Sequence, residues 1–340
     1  MDKNVTIEFS AKTILWVLSA LLVIWLTITL RDVLITVVLA FILATAITPL
    51  VDYLEKKKVP RTVSVAGVIL AVIGILYAVV RLVMPPLVSE VTNLISNQAE
   101  YAQKLGSYLQ NFSPALRDNL TGILNNFFGS LSNIDTSGLL AGAQGLFNGL
   151  LEVILVFVLC FYLLLENKGV EGAVVAYVPK QHQKRTLSIY RQIANKMTSW
   201  LRGQAIIGII VFMVSLIGLT ILKVNYALTL AILAGLLEAL PIIGPLVAGV
   251  LAVLIALTQS PILAIIVAVF YLTYQQLEGQ IIIPFVMKKN LNLNPIAVIL
   301  SIIIGGKLLG LVGILIAVPV AAAIGVLLGE FVKKQEEEAK

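Results

Sequence analysis

A long apolar segment that contains a carboxylate and two prolines constrains this chain more than any other feature. Residues 227–257 form an apolar run of 31 residues, yet Glu238 lies near its middle, followed by Pro241, Gly244 and Pro245. About 20 apolar residues cross a membrane, and proline in a helix interior removes a backbone donor and clashes one turn back. The segment therefore predicts two short helices joined by a break at membrane depth. Such breaks are typical of the binding sites of transporters.

Composition places the chain among multi-pass membrane proteins. Of its 340 residues 59% are hydrophobic and 12% are charged, whereas about a quarter of a soluble domain is charged. The sequence thus predicts an all-α polytopic membrane protein surrounded by the lipid bilayer. Its hydrophobic segments number about eight: 11–30, 33–54, 62–84, 149–165, 204–222, 227–257, 261–283 and 295–329.

The last of these segments, 295–329, is also predicted to break. Glycine destabilises a helix interior and lysine is unfavourable in hydrocarbon. Both occur together in the middle of the segment, at Gly305, Gly306, Lys307, Gly310 and Gly313. The chain therefore contains two broken segments, one on each side of 261–283.

Charge and rare residues exclude several classes of function. The formal net charge is +6, but the basic residues lie in short loops between apolar blocks, which is the positive-inside pattern and no sign of nucleic-acid binding. Cys160 and His182 are the single cysteine and histidine, so neither an intrachain disulfide nor a histidine- or cysteine-rich metal site is expected. The sequence has no Walker motif for ATP and no hydrolase constellation. We therefore expect neither an enzyme nor a bound cofactor.

Loop charges predict the orientation in the membrane. The loop after the second block and the loop 166–203 are rich in Lys and Arg, whereas the 64 residues 85–148 carry only Lys104 and Arg117. By the positive-inside rule the first two loops are cytoplasmic and the third is external. This places both termini in the cytoplasm.

The C-terminal third is compatible with two topologies. If every block crosses once, there are eight spans. If 227–257 and 295–329 are re-entrant hairpins, only 261–283 crosses between them and the hairpins enter from opposite sides. The short arms of the two segments favour the second topology, since they fall below the length of a full crossing.

The predicted organisation has five parts. They are N-terminal membrane helices (1–84), an external amphipathic helical insert (85–148), membrane helices with the basic cytoplasmic loop 166–203 (149–222), a transport region with the two broken helices (223–330) and a charged cytoplasmic tail (331–340). The insert would rest on the bilayer or the spans, or else form a contact in a homo-oligomer.

Three motifs in the C-terminal third resemble one family. The run from Glu238 to Pro245 resembles its Glu-x-x-Pro-x-x-Gly-Pro signature, and residues 276–284 and 294–319 resemble the two motifs that follow. The family is the autoinducer-2 exporter family of bacterial and archaeal inner-membrane proteins, and the resemblance covers nearly the whole chain. It implies a secondary transporter of the cell inner membrane. Members are described as exporters of autoinducer-2 or as sodium or lithium/proton antiporters.

Polar residues at membrane depth are the candidate transport site. Glu238 would carry a proton or hold Na⁺, or else cap free backbone donors at the break. Glu278, with Gln276 and Gln280, would bind a hydroxylated solute or Na⁺, or else lie at the membrane interface. Lys307 would neutralise one of the acids or bind an anionic group of a substrate, or else reach the membrane surface or pair with free carbonyl groups at the break.

Three functions remain open at this point. The first is export of a small polar solute, similar to autoinducer-2, by alternating access of the broken segments against residues 1–222. The second is exchange of a monovalent cation, sodium or lithium, for protons through the same acids. The third is a membrane scaffold whose external helices bind a partner.

Overall fold

The computed structural model describes residues 11–97, 150–165, 178–287 and 295–338, with a few isolated positions between 99 and 172. Within these ranges the chain is helical and contains no strand, which confirms the predicted all-α class. Most of the predicted external insert 85–148 lies outside the described residues. The same holds for residues 166–171 and for 288–294.

Ten helices are described. In chain order they are α1 (Ala11–Thr29), α2 (Arg31–Lys56), α3 (Arg61–Ser96), α4 (Leu150–Leu165), α5 (Lys180–Ile221), α6 (Ala227–Leu237), α7 (Ile243–Gln259), α8 (Pro261–Leu277), α9 (Ile283–Met287) and α10 (Pro295–Glu338). A single π-helical turn, Glu278–Ile282, joins α8 to α9.

Within the described ranges, five helical stretches are long and apolar enough to cross a membrane. They are Arg31–Lys56, Arg61–Glu90, Lys180–Ile221, Pro261–Met287 and Ile296–Phe331. Large apolar side chains such as Leu70, Ile265 and Leu308 are about two-thirds exposed on these helices. Surfaces of this kind require lipid as the solvent, which confirms a multi-pass membrane protein.

The N-terminal helices α2, α3 and α4 share one apolar core around Val51, Val65 and Cys160. Arg61 closes one end of this core. Its Nη1 lies 2.7 Å from Glu55 Oε2, and its Nε donates to the Leu164 carbonyl oxygen at 2.8 Å. One guanidinium thus joins the end of α2, the start of α3 and the end of α4.

The second core joins α3 to the C-terminal helices. Val83 of α3 packs with Leu219 of α5, Leu230 of α6, Ile255 of α7 and Val267 of α8. Glycines bring α5 and α6 together, since a Cβ atom on Gly208 would lie 2.7 Å from the Gly235 carbonyl oxygen. Backbones that approach this closely are typical of small-residue contacts between membrane helices.

The first broken segment separates α6 from α7 at residues 238–242. Ile242 adopts a φ of +72°, which a branched side chain disfavours, and α7 begins at the next residue. Gly244 lies so close to Leu237 that a Cβ atom on it would overlap the Leu237 carbonyl oxygen. The chain therefore turns back, and α6 packs against α7.

The second broken segment reverses direction within α10. Gly310 has φ +60° and ψ −138°, a backbone conformation outside the helical region. A Cβ atom on Gly305 would lie 2.5 Å from the Gly313 carbonyl oxygen and 3.4 Å from the Ala317 Cβ atom. Although helical structure continues on both sides, α10 is thus a hairpin with Gly310 at its tip.

Two helices extend past the limits of their apolar blocks. Helix α5 begins at Lys180, inside the predicted loop 166–203, and α3 continues to Ser96, past the predicted boundary at residue 84. The polar half of α5 is helical because it packs on α10, where Trp200 shares a core with Ile302 and Val318. An apolar run marks the part of a helix in lipid and does not mark where the helix begins.

Candidate functional site

Two acids that are 40 residues apart in the sequence meet at the centre of the C-terminal half. Glu238 directly follows α6, at the start of the first break, and its side chain is 3% exposed. Glu278 opens the π-helical turn after α8 and is 4% exposed. π-Helical turns occur frequently at functional sites. Each acid therefore lies where a helix departs from regular geometry.

The carboxyl groups of Glu238 and Glu278 lie close enough to interact electrostatically. The Oε2 atoms of both are buried, and neither has a hydrogen-bond partner among the described residues. Two adjacent carboxylates in a low-dielectric site repel each other strongly unless a proton or a cation lies between them. The pair is therefore unfavourable when both groups are ionised and nothing lies between them.

Gln204 of α5 supports the first acid. Its Nε2 donates to the main-chain carbonyl oxygen of Glu238 and approaches Glu238 Oε1 at 3.3 Å. The carbonyl at the end of α6 would otherwise lack a partner, because helix ends leave such groups unpaired. A neutral amide thus contacts the acid without neutralising its charge.

Tyr274 is the third polar group beside the pair. It lies one turn before Glu278 on α8, is 6% exposed, and its hydroxyl group is close to the Glu278 carboxyl group. The hydroxyl does not meet the geometry of a hydrogen bond with any described group. A buried hydroxyl without a partner is unusual in proteins, so this one calls for an explanation.

The other predicted site residues lie elsewhere. Gln276 and Gln280 are exposed, and Gln280 Nε2 donates to Gln276 Oε1 at 3.2 Å, as their spacing on one helix face predicts. Lys307 is exposed and forms no ion pair with Glu238 or Glu278. The structure thus brings the two acids together and leaves Lys307 outside the pair.

The predicted glycines and prolines of the breaks line the two turns. Pro241 and Pro245 bracket the end of the first break, where Gly244 makes the close backbone approach. In α10, a Cβ atom on Gly306 would lie 3.1 Å from Ile314 Cγ1. These positions shape the turns and present no side-chain ligand.

Gln204 and Tyr274 were not among the candidates, although each has a sequence signal. Gln204 is an amide at the start of the apolar block 204–222, and Tyr274 is one helical turn from Glu278. The sequence does not show that α5 and α8 pack beside the same break, and this packing is what brings Gln204 and Tyr274 to the acids. In the ranges described, no group of three or more His, Cys, Asp or Glu side chains forms a metal cluster.

A cavity of about 290 Å³ lies among α5, α6, α7 and α8, and Tyr274, one turn before Glu278, is part of its wall. Its walls are almost wholly apolar and include Val211, Ala248, Tyr271 and Tyr274. Walls of this kind give few hydrogen-bonding groups to a hydroxylated solute. The polar chemistry of this region is therefore concentrated at the carboxyl pair.

An all-helical, multi-pass architecture with two broken segments and buried acids defines a membrane transport protein. The model of the AI-2E family transporters matches residues 14–333, and the chain belongs to this family. The family predicted from the motifs at Glu238–Pro245 and beyond is therefore confirmed.

Several curated relatives are similar to part of the chain. It is 28% identical over 202 residues to "Putative transport protein YrrI" of Bacillus subtilis (59% of this chain, 57% of the relative). It is 30% identical to "Putative transport protein YueF" of the same organism (56% and 51%) and 27% identical to "Putative permease PerM" of Escherichia coli K12 (54% and 53%). The alignments thus span about half the length of these relatives.

Proposed function

We propose that this chain is a secondary transporter in which Glu238 and Glu278 bind the transported or coupling cation, a proton in one state and Na⁺ or Li⁺ in another. The observation that carries the proposal is the pair of buried carboxyl groups, each with an oxygen that lacks a partner. Ionisable side chains inside a membrane protein are rare and usually functional.

The broken segments supply a mechanism of alternating access. In this mechanism 227–257 and 295–329 are re-entrant hairpins that enter from opposite membrane faces and move relative to the remaining spans. The reversal at Gly310 and the break beside Glu238 support this assignment, because short arms that fold back do not cross the bilayer. Loop charges favour an inner-membrane protein with both termini in the cytoplasm.

Cation–proton exchange fits the site better than export of a polar solute. One proton or one small cation satisfies the carboxyl pair, whereas the adjoining cavity is apolar. Export of a small polar solute, driven by the same cation, is the second candidate. It is favoured by the exposed Gln276–Gln280 amide pair near Glu278.

Everted membrane vesicles test the proposal. After a proton gradient is formed, addition of Na⁺ or Li⁺ should dequench a pH-sensitive dye in vesicles that contain the wild-type protein. Glu238→Gln and Glu278→Gln should each abolish the response, because an amide cannot exchange a proton for a cation. Asp32→Asn, a change at an acid whose side chain is 83% exposed, is the matched control and should retain it.

Unchanged dequenching in both acid variants would contradict the proposal. The second candidate would be supported by two results together. The wild type would respond to neither cation, and it would show a proton-driven flux of a polar solute that Glu238→Gln abolishes.

A further inference from the structure

We propose that the Tyr274 hydroxyl group is a ligand for Na⁺ or Li⁺ at the carboxyl pair and distinguishes these cations from a proton. The inference rests on the proposed function and adds a specificity-determining residue to it. Three oxygens in this region are buried without hydrogen-bond partners in the described structure, namely Glu238 Oε2, Glu278 Oε2 and the Tyr274 hydroxyl. The tyrosine and the two acids lie close enough to interact with one another.

Packing restricts the tyrosine ring on one side. It lies in a core with Ile207 and Val211 of α5, Ala234 of α6 and Ala248 of α7, and it also lines the cavity. Contacts from three helices thus limit where the hydroxyl near Glu278 can lie. Ligands whose side chains are already locked by packing bind a cation without a further loss of side-chain entropy.

A proton and an alkali cation differ in the number of oxygen ligands that they require. A proton needs one carboxyl oxygen and one acceptor, so Glu238 and Glu278 suffice for it. A dehydrated alkali cation requires several oxygen ligands to replace its hydration shell, as at the sodium sites of other transporters. The hydroxyl therefore contributes to cation binding and is dispensable for protonation.

Tyr271 offers a matched comparison on the same helix. It is 8% exposed, one turn before Tyr274, and its hydroxyl donates to Ser215 Oγ at 3.4 Å. Ser215 is itself fully buried. The Tyr271 hydroxyl thus has a partner within the fold, whereas no described group pairs with that of Tyr274.

The experiment compares Tyr274→Phe with Tyr271→Phe in the purified full-length protein. Binding of radioactive sodium and the thermal midpoint are measured in NaCl, with choline chloride as the reference. We expect Tyr274→Phe to raise the half-saturating Na⁺ concentration at least tenfold. Its midpoint in choline should equal or exceed that of the wild type, because the change removes a buried hydroxyl without a partner. Tyr271→Phe should bind Na⁺ as the wild type does.

Two results would overturn the inference. One is wild-type sodium affinity in Tyr274→Phe; the other is a lower midpoint of this variant in choline, which would mean that the hydroxyl is a structural partner of Glu278. Glu238→Gln and Glu278→Gln, measured in the same assay, separate this failure from failure of the proposed function. If both acid variants bind sodium normally, the proposed function is wrong; if they lose binding while Tyr274→Phe retains it, only the role of the tyrosine is wrong.

Discussion

Gly305 and Gly313 lie in contact with each other across the turn of α10, where a Cβ atom on either would clash with the carbonyl group of the other. In a straight helix eight residues would separate them by about 12 Å. Their contact shows that the apolar run 295–329 is folded into two arms and cannot act as one rod. Next to the turn at Gly310, the backbones of the two arms are in direct contact.

Gly313→Ala should therefore destabilise the protein. The added methyl group would overlap the Gly305 carbonyl oxygen, and overpacking of this kind typically lowers the free energy of unfolding by about 1–3 kcal/mol. The thermal midpoint of the detergent-purified protein measures the effect. Gly325→Ala, on the same helix, is the control because a Cβ atom there meets no described atom within 4 Å. Equal midpoints for the two variants would contradict the hairpin.

Gln204→Leu should lower transport while leaving the membrane fold intact. The change removes the donor to the Glu238 carbonyl group, and a buried acceptor left unpaired destabilises by about 1–3 kcal/mol. We expect a slower vesicle antiport rate and a lower thermal midpoint. Gln181→Leu, at an exposed amide near the start of the same helix, should change neither. A wild-type rate in Gln204→Leu would rule out a positioning role for this amide.

Sodium binding should weaken as pH falls. A proton and Na⁺ compete for the carboxyl pair, so protonation at low pH raises the half-saturating sodium concentration. For one-for-one exchange the limiting increase is about tenfold per pH unit. Isothermal titration with NaCl across a pH series measures it. An affinity independent of pH would show that the cation binds elsewhere.

The ion pair between α5 and α10 should make a small contribution to stability that depends on both charges. Arg185 Nε lies 3.6 Å from Glu330 Oε2, and its Nη2 donates to the Glu330 carbonyl oxygen at 3.0 Å. Arg185→Glu should lower the thermal midpoint by the equivalent of at most about 1 kcal/mol, since the arginine is 41% exposed. Arg185→Glu combined with Glu330→Arg should restore part of the loss. A double variant no better than the single one would show that the charges do not interact.

Sequence alone predicted the features that depend on local chemistry. Proline and glycine disfavour a continuous helix wherever they occur, so the breaks beside Glu238 and at Gly310 followed from residue type. Apolar blocks likewise predicted the membrane class. Glu238 and Glu278 were candidate residues because each is an acid within or beside an apolar block.

Features that depend on packing between distant helices could not be predicted. The meeting of Glu238 with Glu278 requires α6 and α8 to bring their ends together, and neither helix encodes that contact locally. The π-helical turn at Glu278 has no pattern in the sequence that marks it. For Lys307 the sequence left two alternatives open, a position beside the acids or at the surface, and the side chain is exposed.

Helix α5 runs without interruption for 42 residues, from Lys180 to Ile221, a length of about 63 Å. The hydrocarbon layer is about 30 Å thick, so roughly half of this rod stands outside it as a stiff stalk. Near the polar end of this helix Arg185 forms an ion pair with Glu330 of α10. Farther along the same helix, Gln204 donates to the main-chain carbonyl oxygen of Glu238 at the first break. Because one uninterrupted helix makes both contacts, a displacement of its Arg185 end relative to α10 would also shift Gln204 relative to Glu238.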